Sequence, residues 1–187
     1  TVENLVFNHP DHGLLNNVAP KMQLTVDGPP TPDVLDDLLA RAWRRPDLFV
    51  MHPEALAEFR KQTTAQSLHL EEIEIFGSPF SAWRGLPLVP SDKLDLIGGT
   101  TTDDENRPNR LRGSGATTSI LVIRLGEAKQ GVVYLTPKNV QASPRLPAIT
   151  VDFMGLTDDA VARYLLTAYS AVAVLSSGAL ARADVRL

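Results

Sequence analysis

Phe76-Gly77-Ser78-Pro79-Phe80-Ser81-Ala82-Trp83-Arg84-Gly85-Leu86-Pro87-Leu88-Val89-Pro90-Ser91-Asp92-Lys93-Leu94 is the stretch on which the fold turns. Its prolines, glycines and aromatic rings describe a backbone that bends sharply while burying large side chains. Pro79, Pro87 and Pro90 each fix φ and remove an N–H, so no long regular element is expected to run through. Gly77 and Gly85 supply turns. Leu86, Leu88 and Val89 read as a short edge strand, with Trp83 and Phe80 as anchors of the surrounding domain. No acid–base pair and no thiol lies here, so the stretch reads as a structural elbow.

Upstream of the elbow the pattern is helix, strand, helix. Thr31 is placed to cap a helix with Pro32 at its first position and Asp33 in its first turn. Leu35, Leu38, Leu39 and Ala42 fall on one face, Arg41, Arg44 and Arg45 suit its C-terminal end, and Pro46 stops it. Leu48 to Met51 is a buried-type strand. Pro53 opens a second helix with Leu56 and Phe59 inward, fading near Thr63-Thr64. Before these, Val2, Leu5 and Val6 or Phe7 read as the last turns of a helix, broken by His9-Pro10-Asp11-His12-Gly13. Met22, Leu24 and Val26 alternate as a strand.

Downstream, Ile120 to Leu125 reads as a central strand, Gly126 to Gln130 as a turn and Val132 to Leu135 as the return strand of a hairpin. Ile149, Val151 and Phe153 alternate as a one-sided strand. Thr157 is read as the cap of a last, long helix with Val161, Leu165, Ala168, Tyr169 and Val172 on its apolar side, ended by Gly178. Val185 to Leu187 is a candidate closing strand. Gly98 to Thr118 has no apolar period; a loop of about 20 residues is uncommon in a compact domain, and this one is read as exposed.

The composition narrows the function. At 187 residues the length fits one domain or two intimate lobes, with 43% apolar residues for a core. The net charge of −4 gives no general attraction to nucleic acid or anionic membrane. Without cysteine there is neither a disulfide nor a thiolate metal site, which suits a reducing cytoplasm. No apolar run reaches the ~20 residues of a membrane helix.

Candidate chemistry does not converge. His9 and His12 flank a Pro-Asp turn and lack a third metal ligand. His52 precedes Pro53 and reads as a helix cap; His69 reads as exposed. Gly113-Ser114-Gly115 is followed by a strand and carries no lysine, so it is no phosphate loop. Asp103-Asp104-Glu105 lacks calcium-loop spacing. Ser78, Ser81, Ser91 and Ser114 sit in no nucleophile elbow. Glu71 and Glu72 alternate faces of a strand, and Tyr164 and Tyr169 read as core or interface. Catalytic, cofactor and metal residues are therefore all assigned as none, and no cofactor is expected.

The order of several motifs carries a resemblance. Asn8-His9-Pro10-Asp11 with Gly13 to Pro20, Pro30-Thr31-Pro32-Asp33, Phe76 to Phe80 with Trp83 to Leu88 and Pro90 to Leu94, Arg124-Leu125-Gly126-Glu127 with Lys129 to Val133, and Phe153-Met154-Gly155-Leu156 resemble the family 2 encapsulins, bacterial shell proteins of the Hong Kong 97-type phage capsid fold. The resemblance implies an α+β capsid protomer: residues 1–29 as the end of a spine helix and connector, 30–144 as an axial domain, and 145–187 as a strand and helix returning to a peripheral domain. The family's arm, extended loop and most of its spine would precede residue 1. It also implies a non-enzymatic homo-oligomer, a cytoplasmic icosahedral nanocompartment around a cargo enzyme. Departures at Tyr134 to Lys138 and Pro144 to Ala148 favour the branch with an inserted cyclic-nucleotide-binding domain. They thus favour a terpene cyclase or prenyl-type synthase over a cysteine desulfurase as cargo. The alternatives are a phage or prophage major capsid protein of the same fold, or a small hydrolase or nucleotide-binding enzyme of another class.

Overall fold

The structure is a computed structural model, and it describes residues 6–7, 13–42, 45–75, 77–98, 115–135, 149–156, 161–168 and 171–187. The chain divides into two units, one of residues 1–133 and 174–187 and one of residues 134–173.

Among the described residues, the first unit holds a seven-stranded sheet and two complete helices, and Val6 and Phe7 are helical as well. Its strands are β1 (Gln23–Val26), β2 (Leu48–Met51), β3 (Glu71–Ile75), β4 (Ser78–Trp83), β5 (Leu86–Pro90) and β6 (Thr117–Ile123), joined by the C-terminal Leu180–Arg186. β7 (Val132–Leu135) and β10 (Ala171–Val174) pair with each other, and β8 (Ile149–Leu156) pairs with β9 (Ala162–Ala168). With Leu180–Arg186 as β11, the order across the large sheet is β1-β11-β6-β2-β5-β4-β3. It draws on all three expected segments of the chain.

The two helices form where the sequence places them. α1 (Pro32–Arg41) starts on Thr31, whose hydroxyl accepts from the Val34 N–H at 3.4 Å. α2 (Pro53–Ala65) starts on His52, whose Nδ1 accepts from the Glu54 N–H at 3.2 Å. Each cap satisfies a donor that the helix itself leaves open. α2 ends in a Schellman arrangement: Ser67 N–H donates to Thr64 O and Leu68 N–H to Thr63 O. Ser67 holds φ +57° there, a region that disfavours a Cβ. Ser67→Gly is accordingly expected to raise stability by about 0.5–1 kcal/mol, visible as a higher denaturant midpoint.

One core joins helices and sheet. Leu35, Leu38, Phe49, Met51, Phe59, Ile120, Val122 and Val185 are all fully buried in it. Register explains why: Ile120 faces Ala183, and Val122 faces both Ala181 and Phe49, so alternate residues of β11, β6 and β2 share one side. The intervening Leu121 and Leu180 are buried as well, so the central strands are covered on both faces and read as continuous apolar runs.

Three expectations are corrected. First, β5 is an interior strand, not an edge: it lies between β2 and β4. Its prolines fit because of where their nitrogens point. Ser91 N–H donates to Met51 O, so Pro90's nitrogen faces away from β2, beyond the last pair with β4, Ala82↔Pro87. Pro87's nitrogen faces β2 ahead of the first pair, Phe49↔Leu88. Neither proline interrupts the pairs that β5 forms with β2 and β4. Second, β7 does not return along β6, because β6 already has β2 on one side and β11 on the other. Third, the helix expected from Thr157 to Gly178 is replaced by β9, β10 and a short 3₁₀ turn at Ser177–Ala179. Val161 and Leu165 have helical spacing, but Ala162–Ala168 also carries strand formers and finds backbone partners on β8; long-range pairing overrides the local period. The expected cap at Thr157 lies outside the described residues.

Candidate assembly surface

The elbow builds a hairpin that ties the sheet to both helices. Arg84 and Gly85, at φ +52° and +76°, make the two-residue turn between β4 and β5, closed by the Trp83↔Leu86 pair. Two consecutive positive φ values match the twist of a tight hairpin. Trp83 is buried against Phe59 of α2, ring edge to face at 5.5 Å. Its indole N–H donates to Asp36 Oδ1 of α1 at 2.7 Å. Arg84 donates to both oxygens of the same carboxylate, at 2.7 and 3.2 Å, and lies over the Trp83 ring at 5.0 Å. The Arg84 hydrogen bonds hold the Asp36 carboxyl below its ordinary range, and Asp36 in turn raises Arg84. Phe80, expected as a second anchor, is only half-buried.

The other sequence candidates fall apart in space. His52 caps α2, and His69 is exposed. Ser81 Oγ accepts from Arg60, and Ser91 Oγ from the Lys93 N–H. Ser78 is exposed, and Glu71 and Glu72 lie exposed on β3, an edge strand whose charge opposes strand addition. Tyr164 is on β9, exposed rather than in a helical core. His9, His12, Asp103 to Glu105, Ser114 and Tyr169 lie outside the described residues. Among the described residues no three His, Asp or Glu side chains are grouped as metal ligands. Glu58, shifted down by hydrogen bonds from Lys61 and then Gln62, belongs to a helix-surface pair.

The loop from Gly98 to Thr118, for the most part outside the described residues, has a closed base. Ile97 and Thr117 exchange both backbone hydrogen bonds, at 2.8 and 2.7 Å. Deleting Thr100 to Asn109 is therefore expected to leave the fold intact, since the ends are already held together. A lowered denaturant midpoint for the deletion variant would give the loop a structural role.

Sequence reasoning missed the feature that stands out most on the surface. Phe153, Met154, Val161, Tyr164 and Leu165 of the β8–β9 hairpin are each about half exposed or more, from 49% to 64%. Phe153 pairs across the ladder with Tyr164, ring centroids 5.4 Å apart, and a register shift between Phe153 and Gly155 sets Met154 out of the ladder. A lone two-stranded ladder is marginal in water, and contiguous exposed rings mark a contact surface. The signal was present as the alternation of Ile149, Val151 and Phe153, but the pairing with residues 162–168 was not.

Among the described residues the shifted titratable groups are engaged in ion pairs, and the hairpin of residues 149–168 exposes a tilted pair of aromatic rings, the character of an assembly protomer. The chain belongs to the SrpI-like family of type 2A encapsulin shell proteins, whose model matches residues 1–185. It is 40% identical over 183 residues to the type 2A encapsulin shell protein SrpI of Synechococcus elongatus, covering 97% of this chain and 54% of that protein. It is 34% identical over 180 residues to the type 2A encapsulin shell protein of Mycolicibacterium paratuberculosis, covering 96% of this chain and 53% of the relative. The fold is similar to a cryo-electron-microscopy structure of the holo-SrpI encapsulin complex from Synechococcus elongatus, with a TM-score of 0.84 at 39% identity over 98% of this chain and 59% of that one. The chain thus spans about half the length of the curated relatives it matches. The fold is that of a capsid-like protomer, and these relatives are structural shell proteins. The expectation of the branch with an inserted nucleotide-binding domain finds no support among these relatives, which are all of type 2A.

Proposed function

We propose that this protein is the shell protomer of an encapsulin nanocompartment, self-assembling in the cytoplasm into a closed icosahedral particle around a cargo enzyme. The observation that carries this reading is a likeness running through nearly the whole chain, in sequence and in fold, to shell proteins of one type. Closed symmetry lets modest, repeated contacts sum to a stable particle. In this reading residues 30–144 supply the axial domain, 1–29 the end of the spine helix and its connector, and 145–187 the return to the peripheral domain, with Leu180–Arg186 joining the large sheet. The preference for a terpene cyclase or prenyl-type synthase rested on Tyr134 to Lys138 and Pro144 to Ala148; with type 2A relatives it loses that footing, and the cargo is proposed as an enclosed enzyme of unspecified class.

Expression of the full-length protein should give large, uniform particles by size exclusion and electron microscopy, with one enzyme co-purifying when the neighbouring genes are included. A protein that stays monomeric across salt and pH would overturn the proposal.

A further inference from the structure

The β3–β4 hairpin is joined to the rest of the sheet unusually lightly. β3 and β4 are fully registered with each other from Glu71↔Ala82 to Ile75↔Ser78. β4 meets β5 only at Ala82↔Pro87 and Trp83↔Leu86, the two pairs next to the turn. The pairing stops there, and farther out the same register would set Pro79 opposite Pro90, where neither residue has an N–H to give. By contrast, β11 and β6 are paired along their full length, from Leu180↔Ile123 to Arg186↔Thr117.

Side chains hold the hairpin down instead, all near one end. Asp36 of α1 receives the Trp83 indole N–H and both Arg84 donors. α2 adds Phe59 against Trp83 and an Arg60 Nη2 to Ser81 Oγ bond of 2.8 Å. From Ser78 to Phe80 the strand is exposed or half-buried. Arg84 keeps its place although its φ of +52° suits glycine or asparagine better. The bidentate pair with Asp36 offsets that backbone preference.

We propose that Glu71–Trp83 is a flap hinged at Arg84-Gly85, latched onto the helices through Asp36, and that it opens as a unit while the β11-β6-β2 core stays closed. Local opening of this kind follows the distribution of buried contacts and paired backbone. The inference does not depend on shell formation, because every contact in it lies within one chain.

Hydrogen–deuterium exchange on the full-length protein tests it. In Asp36→Ala, amides of Glu72 to Ala82 should exchange about tenfold faster, while those of Ile120 to Val122 and Ala181 to Val185 keep their wild-type rates. Arg84→Gly, which suits the turn and so leaves the hairpin able to form, should accelerate the same amides and spare the same core. An equal rise in the flap and in β6 and β11 would show global loosening and overturn the proposal. So would unchanged flap exchange in both variants.

Discussion

Trp83→Ala is expected to destabilise the folded chain by roughly 3–5 kcal/mol, the cost of truncating a buried ring in a site that relaxes only in part. The ring is 7% exposed, packs on Phe59, and belongs to the core that holds Leu35, Leu38 and Leu88. Its loss opens a cavity and removes the indole N–H that Asp36 accepts. Trp83→Phe separates the two effects: it keeps most of the volume and should cost about 1–2 kcal/mol, chiefly for the hydrogen bond to a charged acceptor. Thermal or denaturant unfolding reads both. An unchanged melting temperature for Trp83→Ala would show that the ring anchors nothing.

The Asp36 part of this cluster depends on pH in one direction. Asp36 titrates lower in the folded chain than in the unfolded one, first because of the Arg84 hydrogen bonds. Its contribution is therefore fully present above the ordinary carboxylate range and is lost as pH falls below it. The pair is substantially exposed, so solvent screens it and the contribution is small next to that of the Trp83 ring.

Gly131→Ala is the second large effect, expected at about 2–3 kcal/mol. A Cβ at Gly131 would run into the Arg124 carbonyl oxygen and stand 2.8 Å from the carbonyl carbons of Arg124 and Leu125. These are backbone atoms pinned in a tight loop. Gly131 N–H donates to Gly126 O at 2.9 Å, Val132 N–H to Arg124 O at 2.6 Å, and Gly126 N–H to Val132 O at 3.1 Å. The same loop is fastened to the start of β2, where Asp47 accepts from the Leu125 N–H at 2.8 Å and pairs with Lys129 at 2.5 Å. No flexible side chain can yield to the new methyl group. A Gly131→Ala protein with wild-type denaturant midpoint would mean that the loop can shift as a body.

Some elements were legible because their causes are local. Thr31-Pro32-Asp33 and His52-Pro53 state where helices begin, since a cap needs only its own neighbours three residues on. Leu48 to Met51 and Ile120 to Ile123 are apolar runs too short for helices and rich in strand formers. The two-residue turn at Arg84-Gly85 was signalled by Gly85. The motif series reached the family for a related reason: many short, locally constrained turns in fixed order make a specific signature even when none is specific alone.

The errors share a different cause. The strand at Ala162–Ala168, the interior position of β5 and the separation of β7 from β6 each depend on which distant strand supplies hydrogen bonds. That choice does not show in a local period. Tyr164 could sit on a helix face or across from Phe153, and only the second places its ring on an exposed patch. The same holds for the latch. Asp36 reads as an ordinary polar residue on the outer face of an amphipathic helix, and nothing within ten residues marks it as the partner of Trp83 and Arg84.

By itself, then, the sequence determined the helices at Pro32–Arg41 and Pro53–Ala65, their caps, the turn at Arg84-Gly85 and the family, all of which follow from side chains acting on the backbone within a few residues. The tertiary structure decided the strand order, the replacement of a helix by the β8–β9 ladder, and the meeting of Trp83 and Arg84 on Asp36. Those outcomes rest on pairing and packing between segments far apart in the chain, where burial and hydrogen bonding outweigh the fraction of a kilocalorie that local preference contributes per residue.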